Sequence, residues 1–254
     1  MSTLKKISIV IPIYNESENI IVLLKELLKI LDTISGGEII IVDDCSTDNG
    51  AELVLKHAEH RENIILLAHA KRLGQSACLL TAIKHSKHDI IITLDGDGQN
   101  DPEDIKNMLK IWEKEYKNSE FLLLIGNRIR RKDTFSKKLA SRLALYIRKI
   151  ILKDNTPDTG CGIKIFSKST FLSLPYFDHI HRFLPALVNR QGGRVISIPV
   201  SHRARVGGKS KYSNWLRFRV GILDLWGVFW LIRRSPFPIK LIDKNIIKNN
   251  QEKE

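Results

Sequence analysis

Residues Ile91 to Ile105 read IITLDGDGQNDPEDI. An apolar run stops at Asp95, a second carboxylate follows at Asp97, and Gly96 and Gly98 alternate with them. Two like charges this close repel each other, and the glycines loosen the backbone at an entropic cost. Something must offset both terms. The run before Asp95, from Asp89 to Leu94, is continuously apolar rather than alternating, which marks a strand covered on both faces. The stretch from Pro102 to Tyr116 has helical spacing. Strand, carboxylate turn and helix therefore follow one another, as in a sheet with helices on each side.

The same grammar runs through the front half. Ile7–Ile13, Glu38–Val42, Ile64–Ala68 and Phe121–Ile125 are further Ile/Val/Leu-rich strands. Glu18–Leu31, Asp48–Ala58 and Ser76–His85 are the helices between them. The alternation predicts an α/β protein with a mostly parallel sheet and three layers. Ligands of such sheets bind beyond the carboxyl ends of the strands. Polar clusters stand at five of those ends: PIYNE, DDCSTDNG, KRLGQS, DGDGQND and GNR. Ser46, Asp48 and Asp101 also suit caps or turns.

The back half is less regular. Phe135–Lys153 is a basic amphipathic helix, DTGCGIKIF a turn into a short strand, His181–Arg190 a helix, Arg194–Val200 a strand and HRARVGGKSKY a polar loop. Trp215–Arg234 is a Trp-rich helix. The expected organisation is a main domain over residues 1–212, an amphipathic helical extension over 213–242 and a disordered tail over 243–254.

The chain has 254 residues and a net charge of +13, with 43% hydrophobic residues. Residues 1–125 carry 14 Lys and Arg against 20 Asp and Glu; residues 126–254 hold the other 27 and 8. An acidic front and a strongly basic back point to separate tasks, the basic half attracting phosphates or an anionic surface. Three well-separated cysteines read as free thiols in a reducing cytoplasm. No leader segment opens the chain, and no apolar run reaches the roughly 18–20 residues of a spanning helix.

Paired carboxylates at a strand end have few uses. One is a divalent cation holding a diphosphate, since Mg²⁺ and Mn²⁺ bind through one or two carboxylates plus substrate phosphates. Gln99 offers an amide oxygen at the same stride. An EF-hand loop from Asp95 needs Gly at residue 100 and Glu at residue 106, where Asn100 and Lys106 stand. A phosphatase with an aspartyl nucleophile would carry its motif earlier, followed by a hydroxyl residue. A solvated Asp/Gly turn is the plain alternative, and the four other clusters weigh against it. There is no P-loop and no Gly-rich dinucleotide fingerprint after the first strand. Tyr14 can stack near a base, Glu16 can accept from ribose or base, and Asp43 or Asp44 can accept from a nucleobase. Together these describe a nucleoside diphosphate lying across the sheet.

The stretches SIVIPIYNESENI, EIIIVDDCSTDNG and IITLDGDGQNDPEDI resemble family 2 glycosyltransferases of the GT-A fold. GNR, DTGCGIKIF, HRFLPAL and HRARVGGKSKY are similar to the polyprenyl-phosphate, dolichol-phosphate mannosyltransferase-like branch. The likeness covers roughly residues 5–235. It implies that Asp95 and Asp97, with Gln99, hold Mg²⁺ or Mn²⁺ on a GDP- or UDP-sugar. It puts Pro12, Tyr14, Glu16, Asp43, Asp44, Arg72, Gly74, Asp95 and Gly96 around the nucleotide sugar. It implies an inverting transfer to a polyprenyl phosphate or, alternatively, to a hydroxyl of a glycan or lipid-A-type acceptor.

A phosphate acceptor needs no base, whereas an alcohol does. For a phosphate acceptor, Arg128, Arg131, Lys138, Arg203 and Arg205 would bind and orient it, with Ser210 and Lys211 closing over the diphosphate. For an alcohol, Asp158 is the candidate base, unless it is a turn residue holding Thr159 or Gly160. The C-terminal helix places Arg beside Trp, as at a bilayer interface. Its apolar run is too short to span, so attachment is expected to be peripheral, at the inner face of the cytoplasmic membrane. Packing on the sheet and a homodimer contact are the other uses of this helix. A non-catalytic nucleotide-sugar or nucleic-acid binding protein is the remaining alternative; the intact carboxylate pair argues against it, and no nucleic-acid partner is expected.

Overall fold

The computed structural model describes residues 6–34, 36–119, 121–129, 145–204 and 214–234. The front half alternates as β1 (Ile7–Ile13), α1 (Ser17–Thr33), β2 (Gly37–Asp43), α2 (Gly50–Ala58), β3 (Ile64–Ala68), α3 (Gln75–His85), β4 (Ile90–Thr93), α4 (Asp104–Glu115) and β5 (Leu122–Arg128). Residues 145–152 are helical and form α5. After them come β6 (Lys164–Ser167), α6 (Lys168–Leu172), α7 (Leu184–Arg190), β7 (Arg194–Val200) and α8 (Asn214–Arg234).

The seven strands form one sheet in the order β3-β2-β1-β4-β6-β5-β7. β1 pairs in parallel with β2 and β4, β2 with β3, and β5 with β7. β6 runs antiparallel to both β4 and β5. The carboxyl ends of six strands therefore share one edge, and the amino end of β6 enters that edge between β4 and β5. The strand order turns at β1, which opens the crevice in which α/β sheets bind ligands.

The alternation of side chains along a strand sorts the core into two layers. Ile9, Ile11, Ile39 and Ile41 pack with α1 and α4 through Leu24, Leu27, Met108 and Trp112. Val10, Ile40, Val42 and Ile91 face the other way, onto Leu79 and Ile83 of α3 and Leu187 of α7. Val228 of α8 and Leu152 of α5 are buried in this second layer. The inner side of α8 is thus docked on the domain, while Leu223, Trp226 and Trp230 stand exposed on its outer side.

Two expectations change. β5 continues through Arg128 rather than ending at Ile125, because β7 pairs with it as far as Arg128↔Val200. GNR therefore belongs to the strand. The helix expected over His181–Arg190 is split into a 3₁₀ turn, Ile180–Arg182, and α7. Pro185 sits in the first turn of α7. It lacks an N–H and would clash with the carbonyl four residues earlier in a continuous helix. Of the helix expected over Phe135–Lys153, residues 135–144 lie outside the described residues.

α5 is tied to the loop before β6 by Arg148. Its Nε and Nη2 donate to Asp154 Oδ2 at 2.8 and 2.5 Å, and its Nη1 donates to Thr159 Oγ1 at 2.7 Å. Asp154 is fully buried at its side chain. Removing one partner of such a pair strands the other charge in a dry site. Asp154→Ala is expected to cost about 3–5 kcal/mol, read as a lowered urea midpoint at an unchanged denaturant slope.

Candidate active site

The turn after β4 is held by its own side chains. Asn100 Oδ1 accepts from the Asp95 N–H at 3.1 Å, and Asp97 Oδ1 accepts from the Gln99 N–H at 3.1 Å. Gln75, at the start of α3, donates from Nε2 to Asp95 Oδ1 at 2.9 Å. Burial pushes the Asp95 carboxyl up, and the neighbouring Asp97 charge pushes it further. Both effects oppose ionisation, and a divalent cation would relieve both. The donors at this turn are oxygens, which suits Mg²⁺ or Mn²⁺.

Two glycines let this turn close. A Cβ on Gly96 would lie 2.7 Å from Ile13 Cγ2 and 3.0 Å from the Pro12 carbonyl. A Cβ on Gly162 would overlap the Asp95 carboxylate and lie 2.6 Å from Asn100 Oδ1. The DTGCG loop therefore runs directly against the carboxylate turn, and Thr93 Oγ1 donates to the Gly162 carbonyl at 2.6 Å.

On the β1–β3 side, the consecutive aspartates after β2 part ways. Asp43 accepts from the Ser46 backbone N–H at 3.2 Å and from its hydroxyl. Asp44 accepts from the N–H groups of Leu73 and Gly74, both at 2.8 Å, and its Oδ1 lies 3.1 Å from His69 Nδ1. Burial opposes the Asp44 charge, but these hydrogen bonds outweigh it and hold the carboxyl below its usual range. Asp44 thus shapes the loop after β3. Cys78 Sγ also approaches His69, 3.8 Å from its Nδ1. Asp44, His69 and Cys78 are the one group of metal-ligand residue types found together among the described residues. Burial and the Asp44 charge push the Cys78 thiol far up, away from the thiolate a metal would need.

Arg72, in that same loop, stacks over the Tyr14 ring at 4.0 Å. Gly74 takes a φ of 91° immediately before α3, a conformation that favours glycine. Glu16 caps α1 through its carbonyl and accepts from Asn19 Nδ2 at 2.9 Å. Asp48 accepts from Ser17 N and Gly50 N, joining the starts of α1 and α2.

On the other side, Arg128 and Asp158 find each other. Arg128 Nε donates to Asp158 Oδ2 at 2.6 Å and Nη2 to Oδ1 at 2.7 Å, with the Arg128 N–H adding a third bond at 3.3 Å. Burial works against the guanidinium, and the Asp158 pair overrides it, raising Arg128. The expected phosphate contact and the expected base are thus each other's partner.

Arg203 also has partners the sequence did not suggest. Its Nη1 donates to both Glu26 oxygens at 2.9 and 2.7 Å, and Nη2 donates to Asp101 at 2.7 Å. Its backbone N–H donates to the Gln99 carbonyl at 2.9 Å. Arg203 clamps the start of the late loop to the carboxylate turn. Arg131, Lys138, Arg205, Ser210 and Lys211 lie outside the described residues.

Four residues that sequence reasoning passed over belong to this site. Gln75 and Asn100 orient Asp95, Gly162 makes room for it, and Lys164 is buried nearby. The signal for Lys164 was present, since one lysine interrupts an otherwise apolar strand, IKIF. His181 is buried with its Nδ1 2.8 Å from Ser76 Oγ.

A turn of paired carboxylates thus stands at the switch point of a doubly covered, mostly parallel sheet, where such sheets bind ligands. Residues 8–173 match the family described as "Glycosyl transferase family 2". The chain belongs to that family. It is 30% identical over 213 residues to the undecaprenyl-phosphate 4-deoxy-4-formamido-L-arabinose transferase of Edwardsiella ictaluri, covering 83% of this chain and 64% of the relative. It is 33% identical over 238 residues to the dodecaprenyl-phosphate galacturonate synthase of Rhizobium johnstonii, covering 92% of this chain and 69% of the relative. The chain thus spans about two thirds of the length of these curated relatives.

Among solved structures, the fold is similar to mannosyl-3-phosphoglycerate synthase from Rubrobacter xylanophilus, with a TM-score of 0.67 and 12% identity over 95% of this chain and 80% of that one. It is also similar to a mannosyltransferase from Pyrobaculum calidifontis in complex with GDP-Man and Mn²⁺, with a TM-score of 0.65 and 18% identity over 93% and 67%. At these identities the likeness shows the GT-A fold.

Gly162→Ala forces a methyl group onto Asp95. It is expected to weaken Mn²⁺ affinity about 10-fold or more, as displaced ligand supports do, while costing about 1–3 kcal/mol of stability. Mn²⁺ titration and thermal melting read the two separately. Burial, reinforced by the Lys164 charge, pushes His181 well below the usual imidazole range. The folded chain therefore keeps His181 neutral where the unfolded chain protonates it. The stability contribution is complete above the unfolded value near 6.5 and is lost as pH falls below it. His181→Gln should flatten the fall in urea stability between about pH 7 and 5 by up to about 1.4 kcal/mol per pH unit.

Proposed function

We propose that this glycosyltransferase moves a sugar from a GDP- or UDP-sugar to a polyprenyl phosphate, with inversion at the anomeric carbon. The observation that carries this reading is the Asp95/Asp97 turn at the switch point, closed by Gly162 of the loop before β6. Relatives named as polyprenyl-phosphate sugar transferases, at 30–33% identity, support the acceptor class.

Asp95 and Asp97, with Gln99, would hold Mg²⁺ or Mn²⁺, which supplies charge stabilisation to a departing diphosphate. Asp43 is the aspartate on the β2 end that faces the nucleoside, while Asp44 fixes the loop carrying Arg72 and Gly74. Tyr14 and Arg72 form a flat stacked wall for the base. Pro12 and Gly96 bring the ends of β1 and β4 close enough to seat the diphosphate between them.

The Arg128–Asp158 pair supports a phosphate acceptor. An alcohol needs a base, and both Asp158 oxygens are engaged by Arg128. A phosphate is already anionic and needs none. Arg128, Arg131, Lys138, Arg205 and Lys211 then serve as the cationic set around it, with the Ser210 hydroxyl as a further donor and Asp158 orienting Arg128 as a positioning residue. Transfer to a glycan or lipid hydroxyl is the less supported arrangement on this ground.

The lipid acceptor implies work at a bilayer surface. No helix among the described residues is long and apolar enough to cross a membrane. The exposed Leu223, Trp226 and Trp230 of α8, with Arg233 and Arg234 at its end, suit a peripheral seat on the cytoplasmic face. A homodimer would use the same exposed face.

The test is a turnover screen with UDP- and GDP-sugars, Mn²⁺ or Mg²⁺ and a short polyprenyl phosphate, following nucleoside diphosphate release and lipid mass. The expected product is a glycosylated lipid phosphate that requires metal. Asp97→Ala should reduce kcat by about 100-fold or more. Product formation that is unchanged by Asp97→Ala or by chelator would refute the assignment, and product on an alcohol acceptor alone would favour the hydroxyl route.

A further inference from the structure

Lys164 opens β6 with 4% of its surface exposed. Its side chain curls back toward the carboxyl edge of the sheet, where its Nζ donates to the Cys161 carbonyl. An ammonium group has three N–H donors. Among the described residues no other hydrogen bond and no ion pair is made by this one. Two donors of a buried cation are therefore unmet, an arrangement that costs free energy unless something fills it.

Charged neighbours act on this ammonium. Asp95 and Asp158 attract it and Arg128 repels it. Lys164 opens the strand that pairs with β4, opposite Thr93 and two residues after Gly162, whose backbone meets the Asp95 carboxylate. Its charge also acts on His181, beside Ser76 at the start of α3. Neither carboxylate comes within ion-pair distance, so Lys164 is not a buried salt bridge. It is a buried cation beside the carboxylate turn, with donors to spare.

From this geometry we infer that Lys164 is a substrate-contacting residue whose ammonium takes an anionic phosphate oxygen in the assembled complex. The phosphate belongs either to the nucleotide-sugar donor or to the lipid acceptor. The inference rests on the glycosyltransferase reading above and adds to it a residue from the β6 strand itself. A lysine that served only to balance Asp95 and Asp158 would give a different response to substitution, because its loss would destabilise the protein without touching substrate binding.

Lys164→Met keeps the length of the side chain and removes the charge. Replacing an unsatisfied buried cation with an apolar side chain favours the folded state, so the variant should melt at or above the wild-type temperature. The probes are UDP and GDP with Mn²⁺, titrated calorimetrically, and a short polyprenyl phosphate in steady-state turnover. A loss of about 10-fold or more in nucleoside diphosphate affinity places the contact on the donor phosphate. Retained nucleotide affinity with a KM for the polyprenyl phosphate raised about 10-fold or more places it on the acceptor.

If Lys164→Met binds and turns over within twofold of wild type, the inference is wrong. It is also wrong if the variant melts well below wild type while the wild-type Lys164 ¹³Cε resonance is unmoved by Mn²⁺-free Mg²⁺–nucleotide and by the lipid phosphate. That resonance, assigned by its absence from Lys164→Arg, is expected to shift with one of the two probes. Wild-type protein that binds neither probe would overturn the function and Lys164's role together, whereas wild-type binding that Lys164→Met retains in full overturns Lys164's role alone.

Discussion

Everything in this crevice depends on the close approach of the Gly162 backbone to the Asp95 carboxylate. Asp95 ends a strand of the parallel half of the sheet, and Gly162 precedes the single antiparallel strand. Only a residue without a Cβ allows the two to meet, since a methyl group there would overlap the carboxylate. The approach has three consequences. It buries Asp95 beside Asp97 and raises its carboxyl, it delivers the DTG loop with Asp158 to the carboxylate turn, and it sets Lys164 two residues further on, opposite Thr93. β6 is thus the element that joins the carboxylate turn after β4 to the Arg128 end of β5.

The wider frame serves this meeting. Two apolar layers fix the strands from both faces, and Arg148 holds the loop before β6 through Asp154 and Thr159. Arg203 pins the start of the late loop to the carboxylate turn through the Gln99 carbonyl and Asp101. Asp44 plays the equivalent part on the opposite wall, fixing the loop after β3 by two backbone N–H groups. Charged side chains at the rim of the crevice therefore act largely as braces. On the proposed reading, the carboxylate pair, the Tyr14–Arg72 stack and Lys164 would meet the substrate.

The strands were legible because each is a short apolar run buried on both sides, and periodicity alone separates such runs from the amphipathic helices between them. β1, β3 and β7 lie where their sequences predict, residue for residue. The carboxylate turn was legible because charge at the end of a buried strand is costly. What could not be read were choices made across long separations in sequence. The direction of β6 depends on pairing with β4 and β5 at once. The Arg128–Asp158 pair joins residues 30 apart, and Arg203 reaches Glu26 across 177. Asp43 and Asp44 look interchangeable in sequence, yet side chains one residue apart point in different directions, and only one of them is taken up by the neighbouring loop. Local composition carries no record of such partners.

The central claim is that the Asp95/Asp97 turn binds a nucleoside diphosphate through a divalent cation. The most direct measurement is calorimetric titration of UDP and GDP into the protein in the presence of Mn²⁺ and again in EDTA. Saturable binding of one nucleotide with Mn²⁺, lost in EDTA, is the predicted result. Equal affinity with and without metal, or binding of neither nucleotide under either condition, would contradict it.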